Sequence, residues 1–219
     1  MIENHIIFSG PMVRAILAGT KTQTRRVVKV AAKNLVFDLV KAWKDGPRPF
    51  NTGEYLHVPF RHKDEDWSHD TSERVFCPYG QPGDRLWVKE THKPHFDAKK
   101  LWTCVKYKAD GAMVKPTLWT ENEGFQWEAR DKERKWTHSI FMPRFASRIT
   151  LEITGVRVER LQDISEEDAR AEGCARTEDE HGIYSATVDY CELWESINGA
   201  GSWALNPWVW VIKFRRVES

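Results

Sequence analysis

The sequence contains few cysteines, and their spacing excludes two common classes of small protein. Only four occur in 219 residues, and no two of them have the two-residue spacing of a zinc knuckle. They also form no regular disulfide framework, which excludes a disulfide-stabilised secreted fold. The histidine pairs 57/62 and 92/95 lack a third ligand at a telling distance. We therefore expect no metal site and no cofactor.

Neither a strong net charge nor a long apolar run is present. Basic side chains number 33 and acidic ones 32, which gives a net charge of +1 at pH 7. A dedicated duplex-binding protein is usually more basic, so any nucleic-acid contact must come from a local patch. No apolar region opens the chain, and no run approaches the roughly 20 residues of a membrane span. These absences predict a cytoplasmic protein with no membrane partner.

What the sequence does have is a basic, hydroxyl-rich segment behind a short helix. Residues 11–18 place apolar side chains on one helical face, and Gly19 follows where a left-handed residue would end the helix. Residues 20–26 then hold three threonines, one lysine and two arginines. Such a segment is suited to holding an anion or the polar edge of a base. A solvated turn that leads into a strand is the alternative for the same residues.

The motif Gly19-x-Lys21-x-x-Thr24-x-Arg26 resembles the defining motif of the ASCH domain family, whose members are PUA-like β-barrels similar to RNA-binding modules. Residues 82–90, 161–173 and 206–214 fit the same resemblance in the same order. The whole chain is most similar to longer ASCH-domain proteins of phage and prophage type. The resemblance implies that RNA or a modified nucleotide binds in a cleft lined by the motif. The binding residues would be Thr22, Arg25, Arg26 and Glu90.

The enzymatic branch of this family is similar to small amidohydrolases that remove the acetyl group from N(4)-acetylcytidine. Its catalytic residues match Lys21, Thr24 and Glu172, so an amidohydrolase is the alternative function. The resemblance also implies a third candidate function, that of a ribonuclease.

Amide hydrolysis needs an activated nucleophile, a proton donor and a partner for the oxyanion. Thr24 supplies a hydroxyl, and Lys21 is its base if the lysine pKa falls from ~10.4 to roughly 7–8. In the other division of roles, Lys21 stays charged beside the oxyanion and Glu172 is the base. Lys21 and Thr24 point to opposite faces of a regular strand, so they converge only if the backbone turns near residues 20–23.

The pattern along the chain predicts an α+β, mainly β fold, a PUA-like antiparallel β-barrel with flanking short helices. Looser, polar segments at about 31–74 and 93–137 are interpreted as two insertions within a single domain, 1–219. Ser165, with Asp168 three residues later, predicts a helix N-cap. Strands are predicted at 5–8, 27–30, 85–90, 147–154, 156–161 and 208–214, and helices at 11–18, 165–173 and 190–197.

Overall fold

A computed structural model describes residues 1–29, 55–60, 68–97, 102–115, 135–174 and 185–217. The protein is α+β and mainly β, as the sequence predicts. The chain divides into two compact units, which are described separately below. The first unit comprises Met1–Gly19, Gly83–Glu152 and Arg215–Ser219, and the second comprises Thr20–Pro82 and Ile153–Phe214.

Strands dominate the described part of the chain. The largest sheet has five of them in the order β1-β5-β9-β10-β2, β3 and β4 form a hairpin, and β6, β7 and β8 form a third sheet. The strands are β1 (Glu3–Ile7), β2 (Gln23–Val27), β3 (Tyr55–Phe60), β4 (Ser68–Phe76), β5 (Arg85–Lys89), β6 (His92–Asp97), β7 (Trp102–Tyr107), β8 (Met113–Val114), β9 (Thr150–Arg160) and β10 (Trp208–Val217).

Three α-helices and three short 3-10 helices occur in the same ranges. The first helix begins with a proline near its N-terminus, where the missing N–H is tolerated, and buries Val13 and Ile16. Gly19 follows it with a φ of 76°, which confirms the left-handed residue predicted there. The helices are α1 (Gly10–Leu17), α2 (Glu166–Ala171) and α3 (Ala186–Asn198), and the 3-10 helices are Ser139–Phe141, Arg144–Ala146 and Leu161–Asp163.

In the first unit, β1 and β5 pair in parallel, whereas β5 and the start of β9 pair antiparallel. The sheet is therefore mixed rather than uniformly antiparallel. Over the described residues the strand order does not close into a barrel. β5 alternates buried and half-buried residues, as the sequence pattern predicts for a half-buried strand.

The segment interpreted as the second insertion contributes a sheet and a small core to the first unit. β6, β7 and β8 pair antiparallel, and Val105, Tyr107, Met142 and Ala146 pack together. The Tyr107 hydroxyl donates to the Ala146 carbonyl at 2.8 Å, which satisfies the polar end of this buried ring. The part of 93–137 that is described is thus ordered around apolar residues.

The second unit corrects two predicted strand boundaries. The strands predicted at 147–154 and 156–161 are one strand, β9, because Gly155 continues the extended backbone. The strand predicted at 27–30 instead begins at Gln23, because Thr24 and Arg25 pair with β10. The second half of the sequence motif, from Gln23 to Arg26, therefore lies within a strand. The core of the second unit includes Leu161, Tyr190, Trp194, Val209 and Val211.

Side-chain caps set the N-termini of α2 and α3. The Ser165 hydroxyl accepts from the Asp168 amide at 3.1 Å, which confirms the predicted N-cap. Glu166 accepts from the Ser185 hydroxyl at 2.7 Å and from the amides of Ala186 and Thr187 at 3.0 and 3.1 Å. α3 begins at Ala186, four residues earlier than predicted, where the Glu166 carboxylate satisfies its first amides.

This cap makes a measurable contribution to acid stability. The hydrogen bonds from Ser185, Ala186 and Thr187 lower the pKa of Glu166 from 4.5 to about 2. A carboxyl whose pKa is lower in the native state stabilises it above pH 4.5, and that stability is lost as the pH falls towards 2. Urea unfolding measured at a series of pH values should show that the wild-type protein loses stability as the pH falls from 4.5 towards 2. Glu166→Gln should lose less stability over the same range. Parallel profiles for the two proteins would contradict the cap.

Candidate functional site

Lys21 lies two residues before the start of β2, where it forms an isolated antiparallel bridge with Glu172. The Thr22 amide donates to the Ala171 carbonyl, and the Phe214 amide donates to the Thr22 carbonyl, both at 2.8 Å. These bonds hold Lys21 against the end of α2. Its ammonium donates to Oε2 of Glu172 at 2.6 Å and to the carbonyl of the same residue at 2.8 Å.

This pair is buried, since the Lys21 side chain is 0% exposed and that of Glu172 is 2% exposed. A buried charge is tolerated only when it is paired and hydrogen-bonded, and each of these charges has the other as a partner. Both oxygen contacts of the Lys21 side chain are therefore made to Glu172, the other residue to which the predicted division of catalytic roles assigns the base.

Arg25, on β2, contacts three carboxylates at once. It donates to Glu172 at 3.1 Å, to Glu159 at 3.0 and 2.5 Å, and to Asp168 at 3.1 Å. Burial opposes the charge of Arg25, but the carboxylates of Glu172 and Glu159 raise its pKa above the ordinary value. Burial likewise works against the charge of Asp168, yet Arg157 and Arg25 lower its pKa.

Arg157 completes this group by donating to Glu159 at 2.8 Å and also to Asp168. Gln23 is joined to it through a hydrogen bond to the Asp168 carbonyl at 3.0 Å. Three cations face three carboxylates, so the group is formally neutral and links β2, β9 and α2. We call it the ion cluster; it consists of Lys21, Arg25, Arg157, Glu159, Asp168 and Glu172.

The ion cluster changes what Arg25 can do. Its guanidinium, predicted to bind nucleotide or RNA, is buried and held by carboxylates. A phosphate would have to displace at least one of them. The structure thus gives Arg25 a place in the internal charge network of the second unit.

The alternation of β2 divides the motif between two faces. Gln23 and Arg25 face the ion cluster, so Thr24 and Arg26 point to the opposite face of the strand. Thr24 is buried, whereas Thr22 is exposed. The predicted catalytic residues are therefore brought together in part. Lys21 and Glu172 are in contact, but Thr24 lies on the face of β2 that the ion cluster does not occupy.

Beyond the ion cluster, a pocket of about 240 Å³ opens along the C-terminal end of β2. Arg26 and Lys29 bring two cations to it, and Tyr79 brings an aromatic ring. Tyr79 lies in a turn closed by a hydrogen bond from the Gly80 amide to the Cys77 carbonyl at 3.2 Å. The pocket is lined by Arg26, Val27, Lys29, Pro78, Tyr79 and Asn198.

Sequence reasoning identified only one side of this pocket. Arg26 belongs to the motif, whereas Tyr79 and Asn198 are distant from it along the chain. The Pro78-Tyr-Gly80 tripeptide signals a turn, which could have marked Tyr79 as a displayed aromatic residue. Asn198 at the end of a helix carries no comparable signal, since asparagine is common there.

Glu90 follows β5 in the first unit and is also buried. Its carboxylate accepts two hydrogen bonds from Arg148, at 2.8 and 2.9 Å. Arg148 also donates to Asp110 and lies over the Tyr107 ring at 4.0 Å. Burial raises the pKa of Glu90, and Arg148 opposes that rise. A base amine would have to replace Arg148 to reach this carboxylate.

Fold and contacts together define an α+β protein with a buried ion cluster and a basic pocket along the same strand. No protein-family model, curated protein or solved structure matches the chain. Within the described ranges, no helix combines the length and the apolar character needed to cross a membrane. Over those ranges there is also no group of three or more His, Cys, Asp or Glu side chains arranged to hold a metal ion.

Proposed function

We propose that the protein is an ASCH-like module that binds a nucleotide or single-stranded RNA through the pocket at the C-terminal end of β2. Four sequence blocks that resemble the ASCH family in the same order support this proposal. So does a mainly β fold in which the motif leads from α1 into β2. A PUA-like barrel and a relationship to phage and prophage proteins are parts of the same proposal.

The observation that carries the binding function is the composition of the pocket. Two cations, Arg26 and Lys29, suit a phosphate, and the ring of Tyr79 suits a base. The near-zero net charge makes such a local patch necessary for nucleic-acid binding. Thr22, exposed just before β2, is the motif hydroxyl that remains accessible to a ligand.

Arg26→Gln is expected to weaken the binding of a short single-stranded RNA about tenfold, because a charged contact of roughly 1.4 kcal/mol is lost. The dependence of log K on log salt should become shallower by about 0.7, the value for one phosphate contact on a single strand. Fluorescence anisotropy at several salt concentrations measures both quantities.

The matched control is Arg216→Gln, which removes the same charge from an exposed position on β10. This variant should retain the wild-type affinity and salt slope. Equal weakening by both substitutions would mean that only overall charge matters, which contradicts a site at Arg26.

Electrophoresis of the recovered RNA tests the ribonuclease candidate, which requires cleavage products.

One contact favours the alternative, an amidohydrolase that acts on N(4)-acylated cytidine. Lys21 and Glu172, separated by 151 positions in the chain, meet at 2.6 Å. In this reaction Glu172 would accept the proton of the nucleophile while the Lys21 ammonium stabilises the oxyanion. Thr24 would serve as the nucleophile only after a change in the backbone that brings its hydroxyl to the Lys21 side of the strand.

The purified protein, if it is this enzyme, should hydrolyse N(4)-acetylcytidine, and Lys21→Ala should reduce kcat/KM at least about 100-fold. N(4)-acetylcytidine and cytidine differ in absorbance, so the change in absorbance with time gives the rate of hydrolysis. Lys108→Ala is the control, since Lys108 is exposed and belongs neither to the pocket nor to the ion cluster. An absence of turnover in folded wild-type protein would exclude this substrate.

A further inference from the structure

We infer that a single strand of RNA crosses the sheet formed by β6, β7 and β8, with a phosphate held between Lys93 and Lys106. This inference goes beyond the pocket at the end of β2, because it assigns a contact surface to the first unit. It rests on the proposed function in the choice of RNA as the ligand.

The two lysines lie directly opposite each other in the sheet. Lys93 of β6 is the register partner of Lys106 of β7 in an antiparallel pair. Side chains at such positions share one face of the sheet, and their Cβ atoms are about 5 Å apart. Both lysines are partly exposed, whereas Val105 and Tyr107 alternate with Lys106 and pack into the core on the other face. Two ammonium groups are therefore placed side by side on the outer face.

No carboxylate neutralises this pair within the described part of the chain. Neither lysine forms an ion pair there. Glu90, which precedes β6, and Asp110, which follows β7, are both held by Arg148. Like charges directly opposite each other in a sheet are destabilising. The free protein therefore has an arrangement that costs stability, and an anion between the two ammonium groups would remove that cost.

Trp136 restricts the position of one of these ammonium groups. Nζ of Lys93 lies 5.1 Å from the centre of the Trp136 ring. The backbone beside this tryptophan is fixed, because Thr137 and His92 exchange hydrogen bonds at 2.8 and 3.2 Å. A cation–π contact orients a charge without neutralising it. The ammonium thus stays available to an anion, and less side-chain entropy is lost when the anion binds.

Positive charge extends beyond the pair. Three exposed lysines, none of them in an ion pair among the residues that the structure describes, follow β7, follow β8 and precede Trp136: Lys108, Lys115 and Lys135. Met113 of β8 lies opposite Lys106, is 48% exposed and adds an apolar contact beside the cations. Cations between an aromatic and an apolar side chain match a strand of phosphates and bases better than they match free phosphate.

Fluorescence anisotropy of a labelled single-stranded RNA with the full chain tests the inference. Lys106→Gln should weaken binding about tenfold and make the dependence of log K on log salt shallower by about 0.7, the value for one phosphate contact. Arg216→Gln is the control and should leave both quantities unchanged. Equal weakening by the two substitutions would overturn the inference, because only overall charge would then matter.

Lys106→Glu separates binding from folding. The glutamate forms a favourable cross-strand pair with Lys93, so this variant should unfold at a urea concentration no lower than wild type does. Its RNA binding should nevertheless be weaker than that of Lys106→Gln, because it places a negative charge against the phosphate. Wild-type affinity in Lys106→Glu would overturn the inference. A lower urea midpoint would contradict the opposed like charges on which the inference depends.

The outcomes also separate this inference from the proposed function. RNA binding that is weakened by Arg26→Gln but not by Lys106→Gln overturns the inference and leaves the pocket as the binding site. The reverse result supports the lysine pair and overturns the pocket. If RNA does not bind to the wild-type protein, both fail.

Discussion

Glu172→Ala is expected to lower the free energy of unfolding by about 3–5 kcal/mol, the largest stability effect that we predict in the second unit. The glutamate is the partner of the Lys21 ammonium and of one Arg25 nitrogen, and both cations are buried. Its removal leaves the ion cluster with an excess positive charge that water cannot reach. Urea unfolding followed by tryptophan fluorescence measures the loss.

Two variants establish that the effect belongs to the buried charge. Glu167→Ala removes a carboxylate from the exposed side of the same helix and should change stability by less than about 0.5 kcal/mol. Glu172→Gln retains the size and hydrogen-bonding capacity of the side chain, so it should fall between Glu167→Ala and Glu172→Ala. If Glu172→Ala were as stable as wild type, the ion cluster would not hold β2 against α2.

Arg148→Met should destabilise the protein by about 3–5 kcal/mol at neutral pH, because it leaves the Glu90 carboxylate buried without its cation. The methionine retains much of the apolar contact with Tyr107, so lost packing is a minor part of the effect. Thermal or urea unfolding of the variant gives the size of the loss. Arg144→Met is the control, because Arg144 pairs with Glu3 at the surface and such pairs contribute little.

The pH dependence of this variant identifies Glu90 as the cause. Burial raises the pKa of Glu90 above 4.5 in the native state, so the native protein binds this proton more tightly than the unfolded chain does. Stability from this carboxyl is therefore lost as the pH rises through the raised pKa. Without Arg148 the pKa of Glu90 should rise further. The destabilisation caused by Arg148→Met should therefore shrink as the pH falls towards 4.5. A pH-independent loss would point to packing instead.

The features that were predictable from sequence depend on neighbouring residues. β5 follows the alternation of its side chains, the N-cap of α2 follows from Ser165 and Asp168, and Gly19 adopts the left-handed conformation expected after α1. Each rests on contacts within a few positions of the chain. The resemblance to a family also placed Lys21 and Glu172 in one set of candidate catalytic residues, a link that local pattern alone does not indicate.

The features that were not predictable depend on register between distant strands. The parallel pairing of β1 with β5 and the start of β2 at Gln23 are decided by partners far along the chain. The same is true of Arg25, whose carboxylate partners come from β9 and α2. A basic run such as 20–26 is usually a solvated face, and no local signal shows that one of its arginines is buried.

The hydrogen bonds of Glu166 also determine how freely the chain can vary between α2 and α3. Because this carboxylate holds the first turn of α3 beside α2, residues 175–184 connect two ends that are already fixed. Closing a loop of twice the length costs only about 0.6 kcal/mol more in entropy. A labelling peptide inserted between these helices should therefore leave β2, the ion cluster and the pocket unchanged.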